Sequence, residues 1–111
     1  GDRKNDMVLI GGMNIYPAEI EAALEQHPAI KSCAVVGIPD ADLGKVLHGA
    51  LYTGDDTVTP DELRIFLEER LQNQKIPRSW SFAKEHLRGD DGKVRRVEIA
   101  AEASRIRTSK L

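Results

Sequence analysis

Cysteine occurs once, as Cys33, so no internal disulfide can staple the chain, and the composition leans towards a reducing compartment. Cys33 lies inside the apolar run CAVVGI with no base or cation beside it in sequence, which reads as a small core residue rather than a nucleophile. No stretch approaches the roughly 20 apolar residues of a membrane span. No signal-peptide pattern opens the chain. Aromatic residues make up only 5% and do not interleave with the basic ones, so nucleic acid is not an expected partner, although residues 88–111 hold seven Lys/Arg against four Asp/Glu. His27, His48 and His86 lie far apart without metal-ligand spacing, and no metal site is expected. There is no Gly-x-Ser-x-Gly element or other activated nucleophile. Asp40, Asp42, Asp55 and Asp56 fall in turn-like stretches and are expected to be solvated.

What remains is an ordinary globular composition, 41% hydrophobic and 31% charged over 111 residues, enough for one domain with a modest core. MVLIGG reads as a hairpin arm ending in a glycine pair. Pro17 suits the first turn of a helix, and Ile20, Ala23 and Leu24 give that helix one apolar face to about Gln26. SCAVVGI, KVLHGALYT and IPRSWSFA have strand character, with PDADLG as the turn between the first two. TPDELRIFLEERLQ is the clearest helix: Thr59 caps it, Pro60 opens it, Glu62 closes a capping box, and Leu63, Phe66, Leu67 and Leu71 form its buried stripe. VRRVEIAAEASRI reads as a terminal helix. The expected fold class is α+β, a small two- to three-stranded sheet flanked by helices, with an N-terminal hairpin.

Two stretches exceed what a fold requires. In LIGGMNIYPAEIE, the adjacent glycines Gly11 and Gly12 would let backbone pass close to a ligand, with Asn14 tying the loop and Tyr16 packing beneath it. In RGDDGKVRR, Gly89 and Gly92 bracket two aspartates before Lys93. The spacing and Val94 rule out a phosphate-binding P-loop. A lysine at a glycine-rich tip still offers a mobile point charge to an external anion.

Together with the opening GDRKND, these stretches carry a family pattern. The segments GDRKNDMVLIGGMNIYPAEIE, HPAI, AVVGIPD, KIP and GKVRR occur in order and at about the spacing of the C-terminal domain of adenylate-forming acyl-CoA synthetases and ligases, which the chain resembles from end to end. The resemblance implies that residues 1–111 form a mobile lid domain whose large N-terminal partner domain is absent, consistent with a sequence that starts on Gly1. It implies an acid–thiol ligase. A carboxylic acid and ATP give an acyl-adenylate and pyrophosphate, and coenzyme A then gives the thioester and AMP. ATP, Mg2+ and coenzyme A would serve the whole enzyme, none bound tightly by this domain alone, and the fragment is expected to be inactive and cytoplasmic. The alternatives are a ligase that loads the phosphopantetheine of a carrier protein, and an interaction module that keeps the fold without catalysis.

Residue by residue, the resemblance implies that Lys93 is catalytic in adenylation, that Arg3 binds nucleotide and that Asn5 is the hinge. It implies that Gly11, Gly12, Met13 and Asn14 line the pantetheine tunnel, the glycines clearing space for the thiol arm. Arg78, two residues beyond Ile76 in KIPR, is a candidate for the phosphates of coenzyme A. The chain also departs from the pattern. Asn5 replaces the usual Asp or Lys, Met13 a commoner polar residue, and Leu43 an occasional tryptophan. HLRGDDGK lacks the usual proline and threonines, so this loop is expected to be looser, with Asp90 and Asp91 able to pair with Lys93 when the lid is open.

Overall fold

The computed structural model describes residues 6–109. Arg3 and Asn5, the expected nucleotide and hinge residues, lie outside the described residues. The order is β1 (Val8–Ile10), β2 (Met13–Ile15), α1 (Pro17–Leu24), β3 (Ser32–Asp40), β4 (Gly44–Tyr52), α2 (Pro60–Glu68), β5 (Ser79–Phe82) and α3 (Arg96–Ser109). β1 and β2 form an antiparallel hairpin, and β3, β4 and β5 form a second sheet in that order. The α+β class with an N-terminal hairpin is what the sequence leads one to expect.

β3 and β4 pair antiparallel over nine residues each, from Ser32 opposite Tyr52 to Asp40 opposite Gly44. Asp40 closes their turn by accepting the N–H groups of Asp42 and Leu43 at 3.1 and 2.9 Å, and Gly44 takes the left-handed conformation (φ 79°) such a turn needs. Asp40 also pairs with Arg107 of α3 at 2.7 Å, so it is structural rather than merely solvated. β5 returns after α2 and runs parallel to β4, with Gly49 opposite Trp80. A parallel neighbour requires a crossover, and α2 supplies it.

The central sheet has two faces. On one, Val35, Leu47 and Leu51 pack with Ile15, Ile20 and Leu24 from the hairpin and α1, and with Leu63 and Leu67 from α2. On the other, Val36, Ile38 and Val46 pack against Ile99, Ala100 and Ala103 of α3. Cys33 is partly buried against the first cluster, as a small core residue should be. α1 and α2 start where the sequence signals them, Pro17 and Pro60 each occupying the first turn. Thr59 Oγ1 accepts the Glu62 N–H at 3.1 Å. α2 stops at Glu68, earlier than the sequence reading through Gln72. Arg70 folds back over the Phe66 ring, 3.6 Å from its centre, and its guanidinium donates to the Phe66 carbonyl at 2.8 Å, satisfying the acceptor that helix continuation would have used.

His48 is buried on the α3 side of the sheet, its ring nitrogens 2.8 Å from Ser79 Oγ and 2.9 Å from Ser81 Oγ. Burial pushes its pKa below the ordinary value of 6.5. As pH falls below 6.5 the unfolded chain takes up this proton before the folded one does, so stability drops with acidification and is regained on return to neutrality. Thermal melts of the 111-residue chain between pH 7 and pH 5 should show this fall, with a shallower slope in His48→Gln. Equal slopes would show that His48 is not the linked group.

Candidate functional site

Gly11 and Gly12 are the two turn residues of the β1–β2 hairpin, between paired Ile10 and Met13, with φ of 53° and 82°. Two successive positive φ values define a type I′ turn, whose twist matches the flanking strands and which glycine adopts without strain. A Cβ built at either position would meet nothing within 4 Å. Inside this domain, then, backbone conformation is what calls for glycine, and space is not. The hairpin is seated on the central sheet, Val8 filling the room that a side chain at Gly37 would need.

The hairpin tip forms one wall of a groove of about 270 Å³, lined among others by Ile10, Gly11, Met13, Leu43, Asn73 and Arg78. Gly11 and Met13, expected to line the pantetheine tunnel, thus come together with Arg78, the candidate for the phosphates of coenzyme A, whereas Gly12 and Asn14 do not line the groove. Asn14 is exposed on β2, opposite Leu9. Arg78 is anchored through its backbone, whose N–H donates to Leu47 O at 2.9 Å, while its side chain is exposed. Asn73 escapes a sequence reading, and Leu43 enters it only as a departure from the family pattern, because they reach the groove from the β3–β4 turn and from a single tight helical turn (Asn73–Lys75) after α2.

Lys93 is not part of that groove. It sits on the loop between β5 and α3, and this loop is cross-braced rather than loose. Gly92 N–H donates to Gly89 O and Gly89 N–H to Lys93 O, both at 2.9 Å, and Gly92 takes φ 78°. Arg88 donates to the Gly92 carbonyl, and Arg88 and Val94 bridge across the loop. Asp91 does not pair with the Lys93 ammonium. Its Oδ1 accepts the Lys93 backbone N–H at 3.0 Å and its Oδ2 meets Arg95 at 2.6 Å. The Lys93 N–H, then Arg95, hold the Asp91 carboxyl below the usual range, so it stays ionised at neutral pH. Asp91 therefore does the bracing that proline and threonine would do. The Lys93 side chain is exposed, and its ammonium has no carboxylate or hydrogen-bond partner among the described residues. A fixed backbone with an uncommitted cation at its tip can serve an anion brought from outside the domain.

Among the described residues no group of three or more His, Cys, Asp or Glu side chains is placed to hold a metal ion, and no helix is long and apolar enough to cross a membrane. His27 accepts the Ala29 N–H at 3.1 Å and meets the edge of Phe66, a local role in ending the α1 segment.

The family described as AMP-binding enzyme C-terminal domain matches residues 19–93, a stretch that ends on Lys93. A 2–succinylbenzoate–CoA ligase of Bacillus licheniformis is 40% identical over 98 residues, covering 88% of this chain and 20% of the relative. A long-chain-fatty-acid–CoA ligase of Escherichia coli O157:H7 is 35% identical over 102 residues, covering 92% of this chain and 18% of the relative. The solved structure of o-succinylbenzoate CoA synthetase (MenE) from Bacillus subtilis, in complex with the acyl-adenylate intermediate OSB-AMP, superposes with a TM-score of 0.78 at 37% identity, over 88% of this chain and 20% of that one. The chain spans about a fifth of the length of these relatives. With a family match across most of its length, and the hairpin, layered core and lysine loop folded around that stretch, this chain belongs to the AMP-binding enzyme C-terminal domain family.

Proposed function

We propose that this chain is the mobile C-terminal domain of a longer ATP-dependent carboxylic acid–CoA ligase, inactive by itself and at work in the cytoplasm. The observation that carries this reading is Lys93: an exposed ammonium with no partner among the described residues, on a loop whose backbone is braced by Asp91, Arg88 and the Gly89–Gly92 turn. In the first half-reaction a carboxylate oxygen of the acid attacks the α-phosphorus of ATP and pyrophosphate leaves. Lys93 lies between two anions there, removing their repulsion and stabilising the charge that builds on the phosphoryl oxygens. Mg2+ enters with the ATP phosphates and belongs to the large N-terminal domain, which also holds the acid. In the second half-reaction the thiolate of coenzyme A attacks the acyl carbonyl and AMP leaves. The domain then presents its other feature, the groove between the hairpin tip and Arg78, to the pantetheine arm, with Arg78 meeting the phosphates of coenzyme A. Arg3 and Asn5 keep the nucleotide and hinge roles that the resemblance implies.

Measuring the two half-reactions separately on the full-length enzyme tests this assignment. Pyrophosphate exchange reports adenylation, and coenzyme A attack on supplied acyl-adenylate reports thioester formation. Arg78→Ala should raise the KM for coenzyme A by about tenfold, the scale of one lost charge-assisted contact, and leave pyrophosphate exchange unchanged. An unaltered KM would remove Arg78 from the site.

A further inference from the structure

Glu21 is an acidic residue where α1 should be apolar. It stands on the inward side of the helix beside Ile20 and Leu24 and is only 3% exposed. Its Oε2 accepts the Val35 N–H of β3 at 2.8 Å and lies 3.5 Å from the guanidinium of Arg96. The Glu21 carbonyl also accepts from Cys33 Sγ at 3.7 Å. One side chain therefore joins α1, the edge strand β3 and the start of α3.

Arg96 is the first residue of α3, and a cation there faces the positive end of the helix macrodipole. Partial burial lowers its pKa, the carboxylate of Asp6 works the other way, and Arg88 adds to the lowering. A half-buried arginine in that setting needs carboxylates nearby: Asp6 is one, and the buried Glu21, 3.5 Å away, is a second. Arg96 also follows Lys93 by three residues, and its N–H donates to Val94 O at 3.1 Å, so whatever fixes Arg96 fixes the foot of the lysine loop.

We propose that Glu21 is a positioning residue for Lys93, acting through Arg96: it clamps the loop's C-terminal foot to α1 and β3, so that the ammonium is presented at a set distance from the domain body. Asp91 and Arg88 shape the loop from within, and Glu21 fixes where that shape points. Glu21 also lies one turn into the helix that follows the hairpin, so the same clamp makes the groove wall and the lysine loop parts of one rigid piece. The inference rests on the adenylation role of Lys93 given above.

The test is pyrophosphate exchange on the full-length ligase, with coenzyme A attack on supplied acyl-adenylate as the second readout. Glu21→Gln keeps an oxygen for the Val35 N–H and removes only the charge opposite Arg96. It should lower kcat of adenylation about tenfold, within the range a misplaced catalytic group produces, with the KM for ATP and the second half-reaction unchanged. Arg96→Met should match it, and Arg96→Lys should restore most of the rate. In a Lys93→Ala background, Glu21→Gln should cost nothing more, because the group it positions is gone. Should Glu21→Gln fail to fold, Arg96→Met, at a residue in partial contact with solvent, carries the same test. Full adenylation activity in both charge variants beside an impaired Lys93→Ala would overturn the clamp and leave the adenylation reading intact. An equal loss in both half-reactions, or an undiminished loss in the Lys93→Ala background, would make Glu21 a residue of the fold only. A Lys93→Ala enzyme with unimpaired exchange would remove the adenylation reading, and the clamp with it.

Discussion

On the function proposed above, alanine at position 93 is expected to slow the adenylation half-reaction of the full-length protein by about 10²- to 10³-fold, the loss seen when one preorganised donor to a developing oxyanion is removed. Thioester formation from supplied acyl-adenylate will survive. The size follows from where the charge is needed. Two anions must meet, and charge builds on the phosphoryl oxygens only as the transition state forms, so a cation placed there favours the transition state over the bound ground state. The structure removes the usual competing explanation for such a loss. The Lys93 side chain is exposed and braces no other described residue, while the loop is held by its backbone, by Asp91 and by Arg88. Truncating a side chain of that kind changes stability by about 0.5 kcal/mol or less. On the same reading arginine is expected not to restore the rate, because its planar fork does not reproduce the compact point charge of an ammonium. A collapse of both half-reactions together would place Lys93 at a domain interface. No change in either would leave the chain with the family's fold and without the mechanism proposed for it.

How much of this was legible beforehand depends on the range of the forces involved. Elements set by local chemistry can be read directly: the glycine pair makes the hairpin, and Pro17, Thr59 and Pro60 start the helices. The run SCAVVGI marks β3, but the strand continues through Pro39 and Asp40. A proline usually ends such a reading, and it is tolerated here because β3 is an edge strand that, among the described residues, pairs only with β4 in its sheet. The parallel setting of β5 is written in no residue of SWSF, since it depends on the path taken through α2. The site divides in the same way. Lys93, Gly11 and Gly12 stand out in sequence because each lies in a dense local pattern. Leu43 and Asn73 become groove residues, and Glu21 a buried carboxylate, only when segments far apart in the chain are brought together. The expected looseness of the lysine loop failed for a related reason. Proline and threonine were missing from the places where bracing is usual, and Asp91 provides it from a place where it is not.

Valine at Gly49 will destabilise the 111-residue chain by about 3 kcal/mol, the upper end for overpacking a well-filled core, and lower its thermal midpoint by about 10 °C. Gly49 lies in the middle of β4, directly opposite Trp80 of β5. A Cβ there would fall 2.4 Å from Trp80 Cζ3 and 2.6 Å from Cε3, well inside contact distance. The indole lies across the glycine and packs against the cluster of Leu47, Leu51, Leu63 and Leu67. Its removal costs apolar burial at about 25 cal/mol per Å² and leaves unfilled volume beside that cluster. β5 is short, four residues paired among the described residues with β4 alone, so displacing its tryptophan also loosens the segment that carries Ser79 and Ser81 onto His48. Trp80 is the sole tryptophan of the chain, so its fluorescence follows this event without interference. The variant should show red-shifted emission before any denaturant is added and an earlier urea midpoint. Because β4 and β5 are then partly parted in the native state, the urea slope should fall as well, since less surface remains to be exposed on unfolding. A wild-type spectrum and midpoint would mean that the indole has another place to go within the folded domain, and that the close approach of Trp80 to Gly49 contributes nothing to holding the parallel strand in place.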